Sequence, residues 1–223
     1  MSPRDAILAK VRAALKTEAG DDARRRKIMA RLRKAPAGVI PARGQLPPAE
    51  RTELFCQMAE KLFASVHRLK RHDEVPKAVA AYLRARNLPA AVRMGDDPRL
   101  EAMPWDGLRA FSVRRGASDG DDDAGVSYAF AGIAETGTVV MLSGADNPST
   151  INFLPEHHIV VVDAASIQGD FESAIAGVRT HFGRGRMPRT VNLISGPSRS
   201  GDIEQKLVLG AHGPRALHLI VVG

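Results

Sequence analysis

Two short stretches gather the residue types that small-anion chemistry uses. In SGPSRSGD, residues 195–202, the hydroxyls of Ser198 and Ser200, the guanidinium of Arg199 and the carboxylate of Asp202 stand among Gly196, Pro197 and Gly201. Glycine lets backbone approach a ligand or take unusual dihedrals, and proline stiffens the bend. The following DIEQKLVLG reads as a short helix ended by Gly210, whose N-terminus would add unpaired N–H groups and partial positive charge. Such a corner suits a carboxylate or phosphate. It is equally a capped turn, with Ser200 or Asp202 as the cap. It is neither a Walker loop nor a G-x-G-x-x-G dinucleotide loop.

The second stretch is AGIAETGT, residues 131–138. Glu135, beside glycines at a strand edge, has the chemistry of a base or nucleophile if its surroundings tune it. Alternatively it pairs with an arginine while Thr136 or Thr138 closes a turn. His212, ahead of Gly213 and Pro214, is either a group titrating near neutrality beside an anion or a donor of one structural hydrogen bond. His157 and His158 are adjacent, and on a strand their side chains leave opposite faces, so no metal site is predicted. The single cysteine, Cys56, lies among apolar residues in LFCQMAEKLF and reads as a buried, inert thiol. One thiol can neither form an internal disulfide nor hold an iron–sulfur cluster by itself.

The elements that must position these residues follow from pattern. Ser2–Pro3 opens a helix with Ile7, Leu8, Val11 and Leu15 on one face, and Asp21 or Asp22 caps a second, arginine-rich one. APAGVIPARGQLPPAE reads as a linker, and ERTELFCQMAEKLFASVHRL as one stronger helix. The expected domains are therefore a helical region over residues 1–70 and an α/β domain over 71–223. In the latter, PKAVAAYLRARN and FESAIAGVRTHFG are helical, AAVRM, RAFSVRR, TVNLIS and the final ALHLIVVG are strands, and GTVVML and HIVVVD are buried strands. Strands alternating with helices predict a mainly parallel, right-handed sheet flanked by helices.

Composition narrows the function. The chain has 223 residues and a net charge of +7. Its basic excess lies wholly in the first half: residues 1–115 hold 25 Lys and Arg against 13 Asp and Glu, and residues 116–223 hold 7 against 12. A basic arm can serve nucleic acid. With aromatics at 4% and none interleaved with the RRRK cluster, base stacking is not supported. No apolar run approaches the ~20 residues of a membrane span, and the N-terminus lacks a secretory apolar region; a cytoplasmic location is expected.

Taken in order, AETGT at 134–138, NPSTINFLPEHHIVVV at 147–162, SGPSRSGDIEQKLVLGAHGP at 195–214 and the closing strand resemble the LUD-domain family, in its lactate utilization protein C branch. The N-terminal helices resemble that branch less distinctively. The resemblance implies an α/β fold like that of ribose-phosphate isomerases, glucosamine-phosphate deaminases and CoA transferases. It further implies participation in oxidising L-lactate to pyruvate, beside partner proteins that carry iron–sulfur clusters, with no cofactor in this chain. Glu135, Thr136, Gly137 and Thr138 match one family motif. Ser195, Gly196, Pro197, Ser198, Asp202, His212, Gly213 and Pro214 match the other. Many members carry an arginine ahead of the Leu-Pro element, where this chain has Asn147–Thr150; if that arginine pairs with a substrate carboxylate, either Arg199 substitutes for it or the ligand differs. The expected arrangement is a small-anion pocket with the 195–214 corner as one wall and the 134–138 loop opposite, Glu135 and His212 acting in it. The competing reading is a stand-alone enzyme on a sugar-phosphate or CoA-ester-like substrate.

Overall fold

The computed structural model describes residues 2–16, 20–34, 37–183, 185–203 and 206–223; the side chains of residues 201–208 lie outside the description. The chain divides into two compact units, Met1–Val39 and Ile40–Gly223. The first contains α1 (Pro3–Ala14) and α2 (Asp22–Lys34). Ser2 and Asp5 cap α1 reciprocally: the Ser2 hydroxyl accepts from the Asp5 N–H, and the Asp5 carboxylate accepts from the Ser2 N–H. Asp21 accepts from the Arg24 N–H at the start of α2. Neither helix has a buried residue, and the apolar stripe of Ile7, Val11 and Leu15 is exposed.

The second unit runs α3 (Pro48–Lys61), β1 (Ser65–Leu69), α4 (Val75–Ala85), β2 (Ala91–Met94), α5 (Pro98–Glu101), β3 (Ser112–Arg115) and β4 (Ala124–Tyr128). It continues through β5 (Ala131–Ile133), β6 (Thr138–Leu142), α6 (Ser149–Phe153), β7 (His157–Asp163), β8 (Ile167–Gln168), α7 (Phe171–Phe182) and β9 (Val191–Ile194). It closes with β10 (Arg199–Ile203), β11 (Lys206–Leu209) and β12 (Ala216–Val222). Six strands form an all-parallel sheet in the order β1-β12-β7-β4-β2-β3. A second sheet, β8-β5-β6-β9, is partly antiparallel, and β10 and β11 make a separate hairpin. The expected α/β class with a mainly parallel, helix-flanked sheet is the observed one.

Two adjacent interior strands, β7 and β12, explain the layering. Strand periodicity sends Ile159, Val161, Ile220 and Val222 to one face, where they pack with Val79 and Leu83 of α4. It sends Val160, Val162, Leu219 and Val221 to the other, against Phe55 and Ala59 of α3 and Val139 and Met141 of β6. Each such aliphatic side chain, 0–2% exposed, contributes about 1.5–3 kcal/mol by leaving water. The outer face of the second sheet is covered by Ala174 and Val178 of α7.

Three expectations are corrected. The helix expected over residues 50–69 ends at Lys61. Phe63 takes φ +69° to turn the chain, and Ser65–Leu69 becomes an edge strand paired with β12. The division accordingly falls after Val39 rather than near residue 70, because α3 and β1 belong to the α/β core. The helix expected over residues 202–210 is a hairpin, with Ser200 opposite Val208 and Ile203 opposite Lys206; residues 204–205 lie outside the described part. A helix that short is marginal in itself, so cross-strand pairing overrides the helical preference of its side chains. GTVVML is the buried strand expected, β6, and runs antiparallel to β5 and β9.

Candidate functional site

A cavity of about 250 Å³ lies beside the second residues of β7 and β12, at the amino end of the parallel sheet. Open α/β sheets more often hold ligands at the carboxyl end. Its rim is two loops that the sequence singled out, Ser195–Ser198 after β9 and His212–Pro214 before β12. The Ser198 N–H donates to the Pro214 carbonyl at 2.8 Å, joining them. Gly196 is required by geometry: its φ is +79°, and a Cβ there would stand 2.2 Å from the Leu62 carbonyl oxygen. Gly213 faces Ser198 and Phe153, the nearest atom to a Cβ being 3.4 Å away.

The floor is a buried polar chain on the face of the sheet turned toward α6. The Ser127 hydroxyl donates to Asn152 Oδ1 at 3.1 Å, which leaves its oxygen to accept from His158 Nε2–H, also at 3.1 Å. All three residues are at most 2% exposed. Among the described residues His158 Nδ1 and Asn152 Nδ2 are buried with no hydrogen-bond partner, and both residues line the cavity. Burial alone pushes the His158 ring down to about 3, so it is neutral at physiological pH. Around this floor, Phe153, Leu193, Ile194 and Leu217 make the walls apolar.

The 134–138 loop stands differently from expectation. Glu135 is 5% exposed, but it accepts from the Phe171 N–H at 3.0 Å and lies 3.8 Å from Arg43, serving the N-terminus of α7 rather than the cavity. Gly137, at φ +64°, is where the loop passes α3; a Cβ would meet Ala59 N at 2.3 Å. Thr138 meets the rim directly, its Oγ1 2.6 Å from Ser195 Oγ, and Thr136 reaches it through Thr138, their hydroxyls 2.7 Å apart. Arg199 turns away from the cavity lining, its guanidinium 4.6 Å from the Phe63 ring centre. The side chain of Asp202 lies outside the described part, and its backbone is in β10, so no helix begins there. Of the expected residues, Ser195, Gly196, Ser198, His212 and Gly213 come together at the cavity.

Sequence reasoning missed Asn152 and Ser127, and weighed His158 only as half of a metal pair. The alternation that separates His157 from His158 sends one of them inward, and that was the available signal. A second constellation, also missed, sits at the carboxyl ends of β4 and β7. His72 Nε2 is 2.6 Å from Asp163 and 2.9 Å from the Tyr128 hydroxyl, and Arg99 stacks on Tyr128 while pairing with Asp97. Its charges are engaged with one another, whereas Asn152 and His158, in the cavity lining, each keep a buried polar atom unpartnered among the described residues.

The LUD domain model matches residues 52–222. The chain belongs to the LUD domain family. Relatives in this family include lactate utilization protein C of Geobacillus thermodenitrificans, 40% identical over half of this chain and 48% of that one. Lactate utilization protein C of Bacillus subtilis is 36% identical over 44% of this chain and 42% of its own. An uncharacterized protein of Neisseria meningitidis serogroup B is 39% identical over 45% of this chain and 42% of its own. The LUD chain thus spans under half the length of these relatives. Among solved structures, a DUF162 family protein from Deinococcus radiodurans superposes with a TM-score of 0.59 at 23% identity, over 80% of this chain and 99% of that one. That likeness establishes a shared fold. No described helix of this LUD protein is long and apolar enough to cross a membrane.

Proposed function

We propose that this LUD protein is a cluster-free component of an L-lactate utilization system, holding a small carboxylate in the cavity between α6 and the two rim loops. The observation that carries the reading is that rim: Ser195–Ser198 and His212–Pro214, tied through Ser198, enclose one cavity within a domain whose relatives are named lactate utilization protein C. Oxidation of L-lactate to pyruvate releases two electrons and two protons. A chain with one cysteine, Cys56, buried in the α3 core, cannot ligate an iron–sulfur cluster by itself. We therefore assign the electrons to iron–sulfur partner proteins and substrate binding to this chain. A second reading, a stand-alone enzyme on a sugar-phosphate or CoA-ester-like substrate, shares the loss of the expected helix N-terminus, which β10 replaces.

The test is genetic. A strain lacking this chain loses growth on L-lactate and keeps growth on pyruvate, and the wild-type gene restores it while Ser198→Trp, which fills the cavity, does not. Undiminished growth on L-lactate without the chain overturns the proposal.

A further inference from the structure

Resting on the reading of the cavity as a hydroxy-acid site, we propose that its floor recognises the hydroxyl of a small 2-hydroxycarboxylate through Asn152 and His158, with Ser127 as the positioning residue behind them. Asn152 and His158 both belong to the cavity lining, and each keeps one buried polar atom without a partner among the described residues, Nδ2 and Nδ1. In the assigned arrangement the amide offers a donor and the ring nitrogen an acceptor. Rotating the amide and moving the ring proton reverses both polarities and still leaves one donor and one acceptor. An alcohol oxygen meets both demands at once, since it accepts one hydrogen bond and donates another. A keto oxygen only accepts, so it satisfies one atom and strands the other. A methylene satisfies neither.

The rest of the cavity orients the molecule. The floor carries no counter-charge: the ring is neutral because burial disfavours its protonated form. A carboxylate placed there would lose its hydration without compensation. It belongs at the rim, where the Ser198 hydroxyl and His212 line the opening. Phe153, Leu193 and Leu217 take the short alkyl group. The volume, about 250 Å³, falls below the roughly 300–1,000 Å³ of pockets for drug-sized ligands and so favours a compact metabolite.

A buried water can bridge the same two atoms, and it is the competitor that the test must separate. The full chain is titrated calorimetrically with L-lactate, pyruvate and propionate, while long-range proton–nitrogen spectra follow the His158 ring. L-lactate binds at least about tenfold more tightly than either analogue, since each analogue leaves a buried polar atom stranded, and His158 Nδ1 shifts with L-lactate but not with propionate. Asn152→Leu abolishes the preference for L-lactate; the wild-type series decides the matter if that variant does not fold. Equal affinities, or L-lactate binding that leaves Nδ1 unmoved, overturn the hydroxyl assignment and leave the lactate reading standing. Absence of binding by all three overturns both.

Discussion

Acidification from about pH 7 to about pH 5 should weaken the α/β unit through its buried histidines. Burial holds His158 at about 3 and His218 at about 4, both below the ordinary 6.5. His218 is 7% exposed, stacked on Tyr82 at 4.1 Å between ring centres, with its Nδ1 2.7 Å from Ser65 Oγ. The sign follows from linkage. Between the folded and unfolded values only the unfolded chain takes up the proton, so the stability is present above pH ~6.5 and falls as pH drops toward the folded values. Each ring then loses about 2 kcal/mol over this interval, together about 3–4 kcal/mol. His157, lowered by burial and by Arg86, adds in the same direction. Urea unfolding at the two pH values and constant ionic strength measures the loss, and His218→Asn should remove about half of it. An unfolding free energy unchanged by pH, or a variant with the wild-type pH dependence, would refute the reasoning.

Three further outcomes follow from single contacts. Gly196→Ala forces a side chain into φ +79° with its Cβ 2.2 Å from the Leu62 oxygen; a loss of more than ~1–3 kcal/mol in chemical denaturation is expected, and an unchanged midpoint contradicts the close approach. Glu135→Gln keeps an acceptor for the Phe171 N–H but removes the charge at the α7 N-terminus, so it costs about 0.3–1 kcal/mol and leaves L-lactate affinity unaltered. Loss of that affinity would place Glu135 back in the chemistry. Cys56 is 5% exposed, and burial pushes its thiol up, so iodoacetamide should label it in the native protein far more slowly than in urea, as mass spectrometry can show.

What the sequence made legible was what local pattern dictates. HIVVVD and ALHLIVV are continuous apolar runs that only a doubly covered parallel strand accommodates, and they are β7 and β12. FESAIAGVRTHF carries a helical period and is α7. The rim loops were legible because Gly196, Pro197, Gly213 and Pro214 punctuate the chain wherever they fall. The misreadings came where distant pairing outweighs local preference. SVHRL continues the apolar spacing of α3 but is claimed by β12, and KLVL is claimed by β10. The floor escaped notice because Ser127 lies 25 residues from Asn152 and 31 from His158 and meets them only when β4 packs beside α6 and β7. Glu135 misled for the opposite reason: a carboxylate among glycines looks catalytic until Phe171 is found donating to it.

The most direct test of the account is an amide-resolved nuclear magnetic resonance titration of the full chain with L-lactate. The account predicts saturable shifts concentrated at Asn152, His158, Ser195–Ser198 and His212–Gly213. Shifts confined to His72, Tyr128 and Asp163 at the carboxyl ends of β4 and β7, or none at saturating L-lactate, would contradict it.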